Sequence, residues 1–457
     1  MEALPFGLTR TIDAYDKLEV IGKGTYGEVW KARDRASGEM VAIKKVIIHH
    51  DKYGFPKTTV REIRALSDRD LIGPNVVRLR EIVAAVPAES ECVMLHDRVI
   101  GAGQRAPPRC RHAAEDAALA EAQGAPTPSA AASAADKPGT IFLVMEWAPC
   151  DLAGLVASKV PMSTAHVKAY VLQLLQALDL LHRHRYLHRD VKSSNLLICA
   201  DNTLKLADFG LTRLAEPAGS ATRGRMTAEV ITLWYRPPEL LLGATAYGAE
   251  VDTWSVGCIM LELLLGKPAF STRSNSAPET LGRIFGLLGT PPPGHALRRL
   301  PGWDDASFAD QPARLAATLA QPQVAAALQD VDGEGSRLLA GLLSLDPAER
   351  LSAHRAADSP WFNREPAVPR SRPSSVLPPL GSLVDLEVDR HEFATKQRLR
   401  QSSGRAGNAA ATSASAEPSG RSSGTGRRAT ARPPALVTVR SRALGSRAGG
   451  RRCAAGT

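Results

Sequence analysis

Apolar and polar positions alternate around Leu18 to Ile21, again from Glu28 to Ala32, and from Met40 to Ile48 beyond a turn at Ala36-Ser37-Gly38. A period of two puts every second side chain on one face, so residues 15–48 predict β-strands joined by tight turns. Residues 56–67 carry helical spacing, and 76–83 and 141–147 read as strands again. From Ala165 onward the period lengthens. Val167, Tyr170, Val171, Leu174, Leu175, Leu178 and Leu181 recur at three- and four-residue steps and share one helix face. The expected class is α+β, with a small strand-rich lobe ahead of a larger helical one. The most apolar run, Val256 to Leu265, is short and contains Glu262. That fits a buried helix better than a membrane span, which needs about 20 residues.

Two segments break the pattern. Residues 84–139 are rich in Ala, Gly and Pro without periodicity, and read as an insertion between two strands of the first lobe. Growing a short loop to that size is about three doublings of length, a closure cost of only ~2 kcal/mol. From about Pro366 the chain turns Pro/Ser-rich and then Gly/Ala/Ser/Arg-rich, a composition expected to stay mostly disordered. Charge follows the same division. The net charge is +10, but residues 401–457 hold ten Arg, no Lys and one acid, Glu417, so residues 1–400 are close to neutral. The basic character is therefore a property of the tail, which could hold RNA or DNA by phosphate attraction or simply solubilise the chain. Six cysteines, at 92, 110, 150, 199, 258 and 453, form no C-x-x-C pair. This argues against zinc and a disulfide framework and for reduced intracellular thiols. The N-terminus shows no charged stretch followed by an apolar one, so no signal peptide is expected.

The candidate chemistry centres on His188-Arg-Asp190-Val-Lys192-Ser-Ser-Asn195. An acid, a cation two residues later and an amide five residues later suit phosphoryl transfer. Asp190 would accept a hydroxyl proton, Lys192 would sit by the transferring group, and Asn195 would ligate Mg²⁺. Gly22-Lys-Gly24-Thr-Tyr-Gly27-Glu-Val29 is a G-x-G-x-x-G-x-V loop able to close over phosphates. Dinucleotide-binding folds use a similar loop but need a helix straight after it; here the next residues read as a β-hairpin. Val41-Ala42-Ile43-Lys44 puts a lysine on a strand, where it would hold the α/β-phosphates and pair with Glu62 on the following helix. Asp208-Phe209-Gly210 would supply the principal Mg²⁺ ligand, Asp208, with Asn195 as the second. Glu239 and Arg350 read as a structural ion pair, and Asp252 as a tether for the catalytic-loop backbone.

Together these strings resemble a eukaryotic protein kinase, and in detail the cyclin-dependent kinases, over roughly residues 14–365 outside the insertion. Pro56 to Glu62 is similar to the cyclin-contacting helix, and Thr227 to Glu239 to the family's activation segment. Gly54-Phe55-Pro56, Arg78 to Val83, Asp151 to Leu155, and His391-Glu392-Phe393 with Thr395-Lys396 look like the transcription-elongation branch, which partners cyclin T or cyclin K and includes the plant C-type kinases. The His391 string is similar to an extension that folds back toward the ATP site. The resemblance implies a bilobal fold: an N-terminal arm at 1–13, a kinase domain at 14–365 and a disordered basic tail at 366–457. It implies ATP with Mg²⁺, adenine between Ile21, Val29, Ala42 and Leu197, hinge backbone bonds from Glu146 and Ala148, and ribose at Asp151. It implies an activating phosphosite at Thr227 clamped by Arg61, Arg189 and Arg213, and a preference for Pro after the target residue. The natural substrate would be the Ser-Pro repeats of the RNA polymerase II tail, in the nucleus. A cell-cycle kinase acting on other Ser-Pro sites, and a scaffold holding nucleic acid through the Arg-rich tail, are the alternatives. Lys57 and Thr59 depart from the elongation branch, which leaves the cyclin open, and Met145 replaces the usual aromatic gatekeeper.

Overall fold

The computed structural model describes residues 10–24, 27–47, 55–85, 140–215, 231–305, 307–330, 332–385 and 390–398. The first lobe is an antiparallel sheet of β1 (Tyr15–Gly24), β2 (Gly27–Asp34), β3 (Met40–Lys45), β4 (Leu79–Ala84) and β5 (Ile141–Glu146). Their order is β1-β2-β3-β5-β4. The alternation seen in the sequence sorts side chains onto two faces. Val41, Ile43, Phe142 and Val144 join Ala32 and Val83 in a small core on one side. Ala42, Leu143 and Met145 face the other side and join the main core. Each fully buried large apolar side chain contributes about 1.5–3 kcal/mol. Helix α1 (Lys57–Leu66) begins directly after Pro56, whose extended backbone cannot continue a helix backward. Ala85 N–H donates to the Thr140 carbonyl at 2.9 Å, so the insertion begins at 86 rather than 84. The sheet also reaches further back than expected: Ile12 is buried and Arg10 pairs with Asp34 at 2.8 Å.

The second lobe is built on two long helices. Between the lobes run β6 (Cys150–Asp151) and α2 (Leu152–Ala157), the latter capped by the Asp151 side chain. Helix α3 (Thr164–Arg183) starts in a reciprocal cap between Ser163 and His166. After it come β7 (Tyr186–Leu187), β8 (Leu196–Ile198), β9 (Leu204–Leu206) and β10 (Arg213–Leu214), then α4 (Pro238–Leu241) and α5 (Glu250–Leu265). Every residue of α5 from Val251 to Leu264 is buried, Glu262 included, and Gly266 at φ +65° ends it. The run Val256 to Leu265 is thus the second half of a central helix. No helix among the described residues is long and apolar enough to cross a membrane. Helices α6 (Ala277–Leu288), α7 (Leu315–Leu319), α8 (Pro322–Leu328), α9 (Glu334–Leu342) and α10 (Ala353–Ala357) complete the lobe.

The expectation of disorder from residue 366 fails for its first part. Val368, Leu380 and Val384 are buried, and carbonyls along the strap are tied to side-chain donors of the second lobe, of which Lys168 and Asn202 are buried and Gln176 is half-buried. Lys168 on α3 donates to the Arg364 carbonyl, Gln176 to that of Arg370 and Asn202 to that of Pro378. A Pro/Ser-rich segment with few apolar residues becomes ordered here because α3 offers it a ready surface. Residues 390–398 are ordered as well, with one helical stretch over 392–398. The rest of the tail, from 399 onward, lies outside the described residues.

Candidate active site

A cleft of about 350 Å³ lies between the lobes. Its glycine-loop wall is β1 and β2. Gly27 has φ +148°, and a Cβ there would overlap the Lys45 carbonyl, so the loop's close approach to β3 requires glycine. Ile21, Gly22, Val29, Ala42 and Leu197 line the cleft, as do Glu146, Ala148 and Asp151 along the connection between lobes. Gly24 ends β1, and Thr25 and Tyr26 lie outside the described residues.

The fold brings Lys44, Glu62, Asp190, Lys192, Asn195 and Asp208 together. Lys44 Nζ lies 2.8 Å from both carboxylate oxygens of Glu62 and 3.1 Å from Asp208 Oδ1. Burial alone would lower the Lys44 pKa, but Asp208 and Glu62 together hold it above the usual lysine range. Burial likewise works against the Asp208 carboxylate, and Lys44 and Lys192 overcome it, keeping its pKa below the ordinary value. Asp208 occupies a left-handed conformation at φ +60°, a functional-site signature for a non-glycine residue. On the catalytic loop, Lys192 Nζ is 2.7 Å from Asp190 Oδ2. Asn195 Nδ2 donates to the Asp190 carbonyl at 2.8 Å and to Asp190 Oδ2 at 3.1 Å. With both amide hydrogens directed at Asp190, the Asn195 amide oxygen remains to meet a cation. A charged carboxylate and an amide oxygen are hard donors, so Asp208 and Asn195 fit Mg²⁺.

The supports also fall into place. Asp252, at the start of α5, accepts from the backbone N–H of His188 at 2.9 Å and of Arg189 at 2.8 Å. Burial opposes its ionisation, yet the bond from His182 and these backbone bonds hold its pKa low. Arg350 makes a two-pronged bond to Glu239 at 2.7 and 3.0 Å in a dry site. The phosphosite clamp is a different matter. Thr227 lies outside the described residues. Arg61 is exposed on α1, Arg213 is half-buried on β10, and Arg189 donates to the Leu211 carbonyl and the Tyr247 hydroxyl.

Asp151, expected to meet a ribose, has two backbone partners in the structure. Its Oδ1 caps α2 through Gly154 N–H at 2.6 Å, and its Oδ2 accepts from Glu392 N–H at 2.7 Å. A nucleotide hydroxyl would have to share oxygens already engaged. Burial pushes this carboxyl up to about 7, with His391 and the two backbone bonds opposing. The His391 string accordingly reaches the site: His391, Glu392 and Phe393 line the cleft, and the His391 ring packs 5.3 Å from that of Trp147. Sequence reasoning passed over Trp147, and also Thr232, whose Oγ1 reaches Asp190 Oδ1 at 3.3 Å. Trp147 lies in no motif, and Thr232 lies inside the Thr227 to Glu239 string without a role of its own there; the fold brings both to the site.

The protein kinase domain family matches residues 15–104 and 114–362. Cyclin-dependent kinase C-1 of Oryza sativa subsp. japonica is 35% identical over 398 residues, 86% of this chain and 65% of that protein. Cyclin-dependent kinase C-1 of Arabidopsis thaliana is 36% identical over 404 residues, 87% of this chain and 67% of that protein. Cell division control protein 2 homolog 3 of Trypanosoma brucei brucei is 32% identical over 367 residues, 79% of this chain and 95% of that protein. The chain thus spans about two thirds of the length of its plant relatives and almost all of the trypanosome protein. With the site's geometry and the matched residues in agreement, the chain belongs to the protein kinase family, in its cyclin-dependent group.

Proposed function

We propose that this chain is a cyclin-activated, proline-directed serine/threonine kinase that uses ATP and Mg²⁺ to phosphorylate Ser-Pro repeats of the RNA polymerase II tail in the nucleus. The observation that carries proline direction is at Ile231. This residue sits in a left-handed conformation at φ +69°, and its carbonyl accepts from Arg236 Nε at 3.1 Å and Nη2 at 2.8 Å. That carbonyl is therefore unavailable to the substrate. A residue after the target Ser would bury a backbone N–H without a partner, at a cost of about 1–3 kcal/mol, whereas Pro has no N–H to lose.

Asp190 orients the substrate hydroxyl and takes its proton. Thr232 and Asn195 fix its carboxylate, and Lys192 lies beside it. Bound Mg²⁺, held by Asp208 and Asn195, would neutralise charge on the phosphates. Lys44, fixed by Glu62, positions the nucleotide. General-base transfer contributes roughly 10²–10⁴-fold, and positioning and electrostatics supply most of the rest. A cyclin partner is supported by exposed apolar side chains at and just before α1: Phe55 is 36% and Val60 50% exposed. The elongation branch is supported by the His391 string lying at the cleft.

The test is phosphate transfer to a Ser-Pro heptad-repeat peptide and its Ser-Ala twin, with the chain co-expressed with T- or K-type cyclins. The Ser-Pro peptide should be favoured by about 10–100-fold in kcat/KM, the free-energy equivalent of one unpaired N–H. Asp190→Asn should abolish transfer. Equal transfer to both peptides would remove proline direction, and transfer confined to other Ser-Pro sequences would favour the cell-cycle alternative.

A further inference from the structure

Beneath the catalytic loop, Ser193, Tyr235 and Glu262 form a closed triangle of oxygen atoms. Ser193 Oγ is 3.0 Å from Glu262 Oε1, the Tyr235 hydroxyl is 2.8 Å from Glu262 Oε2, and the two hydroxyl oxygens are 2.8 Å apart. The residues come from three elements: the catalytic loop, the single turn Leu233–Tyr235 and α5. All are buried, at 3%, 5% and 1% exposure respectively.

Three contacts of this length are three hydrogen bonds, and each needs one proton. Ser193 and Tyr235 bring one apiece. If Glu262 is ionised, both protons go to its oxygens. The Ser193–Tyr235 edge is then two sets of lone pairs facing each other in a dry site. A protonated Glu262 brings the third proton. Its Oε1–H donates to Ser193, Ser193 donates to Tyr235, and Tyr235 donates back to Oε2. Every donor and every edge is then used.

We propose that Glu262 is held as a neutral carboxylic acid closing this ring, and that Ser193 is thereby a positioning residue that fixes the substrate-binding segment against the catalytic loop. The inference rests on the kinase reading above for its effect on catalysis, but not for the ring itself. The surroundings agree. Burial pushes the Glu262 carboxyl up to about 7, the bonds from Tyr235 and Ser193 oppose this, and the acidic neighbours Glu392 and Asp151 add to it. On its own helix, Cys258 is a buried thiol pushed well above its ordinary value. Helices α3 and α9 also pack on α5, but His182 of α3 bonds Asp252, and Arg337 of α9 pairs with Glu334. Arg350 is spent on Glu239.

The sign follows from the raised value. Glu262 is neutral below about 7 and ionises as pH rises through it, and the ring is lost in that direction. The edge that breaks is the one joining the catalytic loop to residues 231–236. That segment carries Thr232 to Asp190 and the Ile231 carbonyl to Arg236. The peptide KM should therefore rise with pH in the wild type and lose that rise when Glu262 cannot ionise.

Infrared spectroscopy of the full chain with its cyclin, from about pH 5 to 9, tests the ring without reference to activity. Asp151 supplies a protonated carboxyl in the same range, so the wild-type minus Glu262→Gln difference spectrum should show a further protonated-carboxyl C=O band that fades with a midpoint near 7. No such band at any pH would overturn the proposal. In kinetics, the wild-type peptide KM should rise about 5–10-fold across that midpoint, the equivalent of one lost hydrogen bond. Glu262→Gln should hold it flat, because the amide donates to Ser193 and accepts from Tyr235. Ser193→Ala should raise the peptide KM at low pH and remove its pH dependence, and Ser193→Thr should restore both. A Ser193→Ala peptide KM equal to wild type at low pH would overturn the positioning role. If no form phosphorylates a Ser-Pro peptide, the kinase reading fails while the infrared band still decides the ring.

Discussion

Ile231 is a β-branched residue in a conformation that costs such residues about 1–2 kcal/mol. The two bonds from Arg236 stabilise it there. Arg236→Met should therefore release the Ile231 carbonyl, which can then accept an N–H from a non-proline residue. The expected result is a fall in Ser-Pro over Ser-Ala selectivity by about tenfold, read from kcat/KM on the twin peptides, with ATP binding unchanged. Unchanged selectivity would mean that shape alone excludes other residues. Residues differ sharply in how far the sequence announced them. Lys44, Glu62, Asp190, Asn195 and Asp208 were legible because phosphoryl transfer demands those chemical types in a fixed order, and their contacts close at 2.7–3.1 Å. Glu262 was legible only as a blemish in an apolar run. Its partners Ser193 and Tyr235 lie 69 and 27 residues away, and nothing local pairs them.

At the scale of elements, strands β1 to β5 and helices α1 and α3 fall where hydrophobic periodicity placed them, because each has one face in a core, while α5 contains the apolar run Val256 to Leu265 but starts earlier, at Glu250. The strap over 366–385 was not legible, since its order comes from donors on α3 rather than from its own composition. The segment 390–398 lies between these cases: its His391 string was readable by resemblance, its seat was not. That seat is α2. A Cβ on Gly154 would overlap the Arg390 carbonyl, so glycine lets the segment lie directly on the helix. Gly154→Ala suits a helix better by about 1 kcal/mol, which keeps α2 intact while denying the segment its place. Hydrogen exchange over 390–398 should speed up in this variant, and the KM for ATP should shift, because His391, Glu392 and Phe393 would leave the cleft wall. Unaltered exchange would show that Asp151 and Trp147 hold the segment without that close contact.

For the molecule as a whole, the issue is how much of its length the kinase fold needs. The charge is concentrated outside the described part, with ten Arg against one acid in 401–457, so the folded lobes are close to neutral and gain little from long-range attraction. The ends of the insertion are fixed by the sheet. It leaves β4 after Ala85 and returns at Thr140, two residues already joined by a backbone bond at 2.9 Å, and Ala84 pairs with Ile141. Its ends are therefore held at hairpin distance whatever lies between them. The sheet needs only a short turn there, and the long connection carries a closure entropy cost of ~2 kcal/mol. Replacing residues 88–137 with a short Gly/Ser turn should raise the urea unfolding free energy by up to about 2 kcal/mol, with the slope on denaturant altered only by the lost residues. The peptide kcat/KM should be unchanged, because β4 and β5 set the position of Glu146 and Ala148 through register and not through the loop. A loss of stability on deletion would show instead that residues 88–137 pack on the fold, and would move the insertion from a tolerated loop to a structural part of the first lobe.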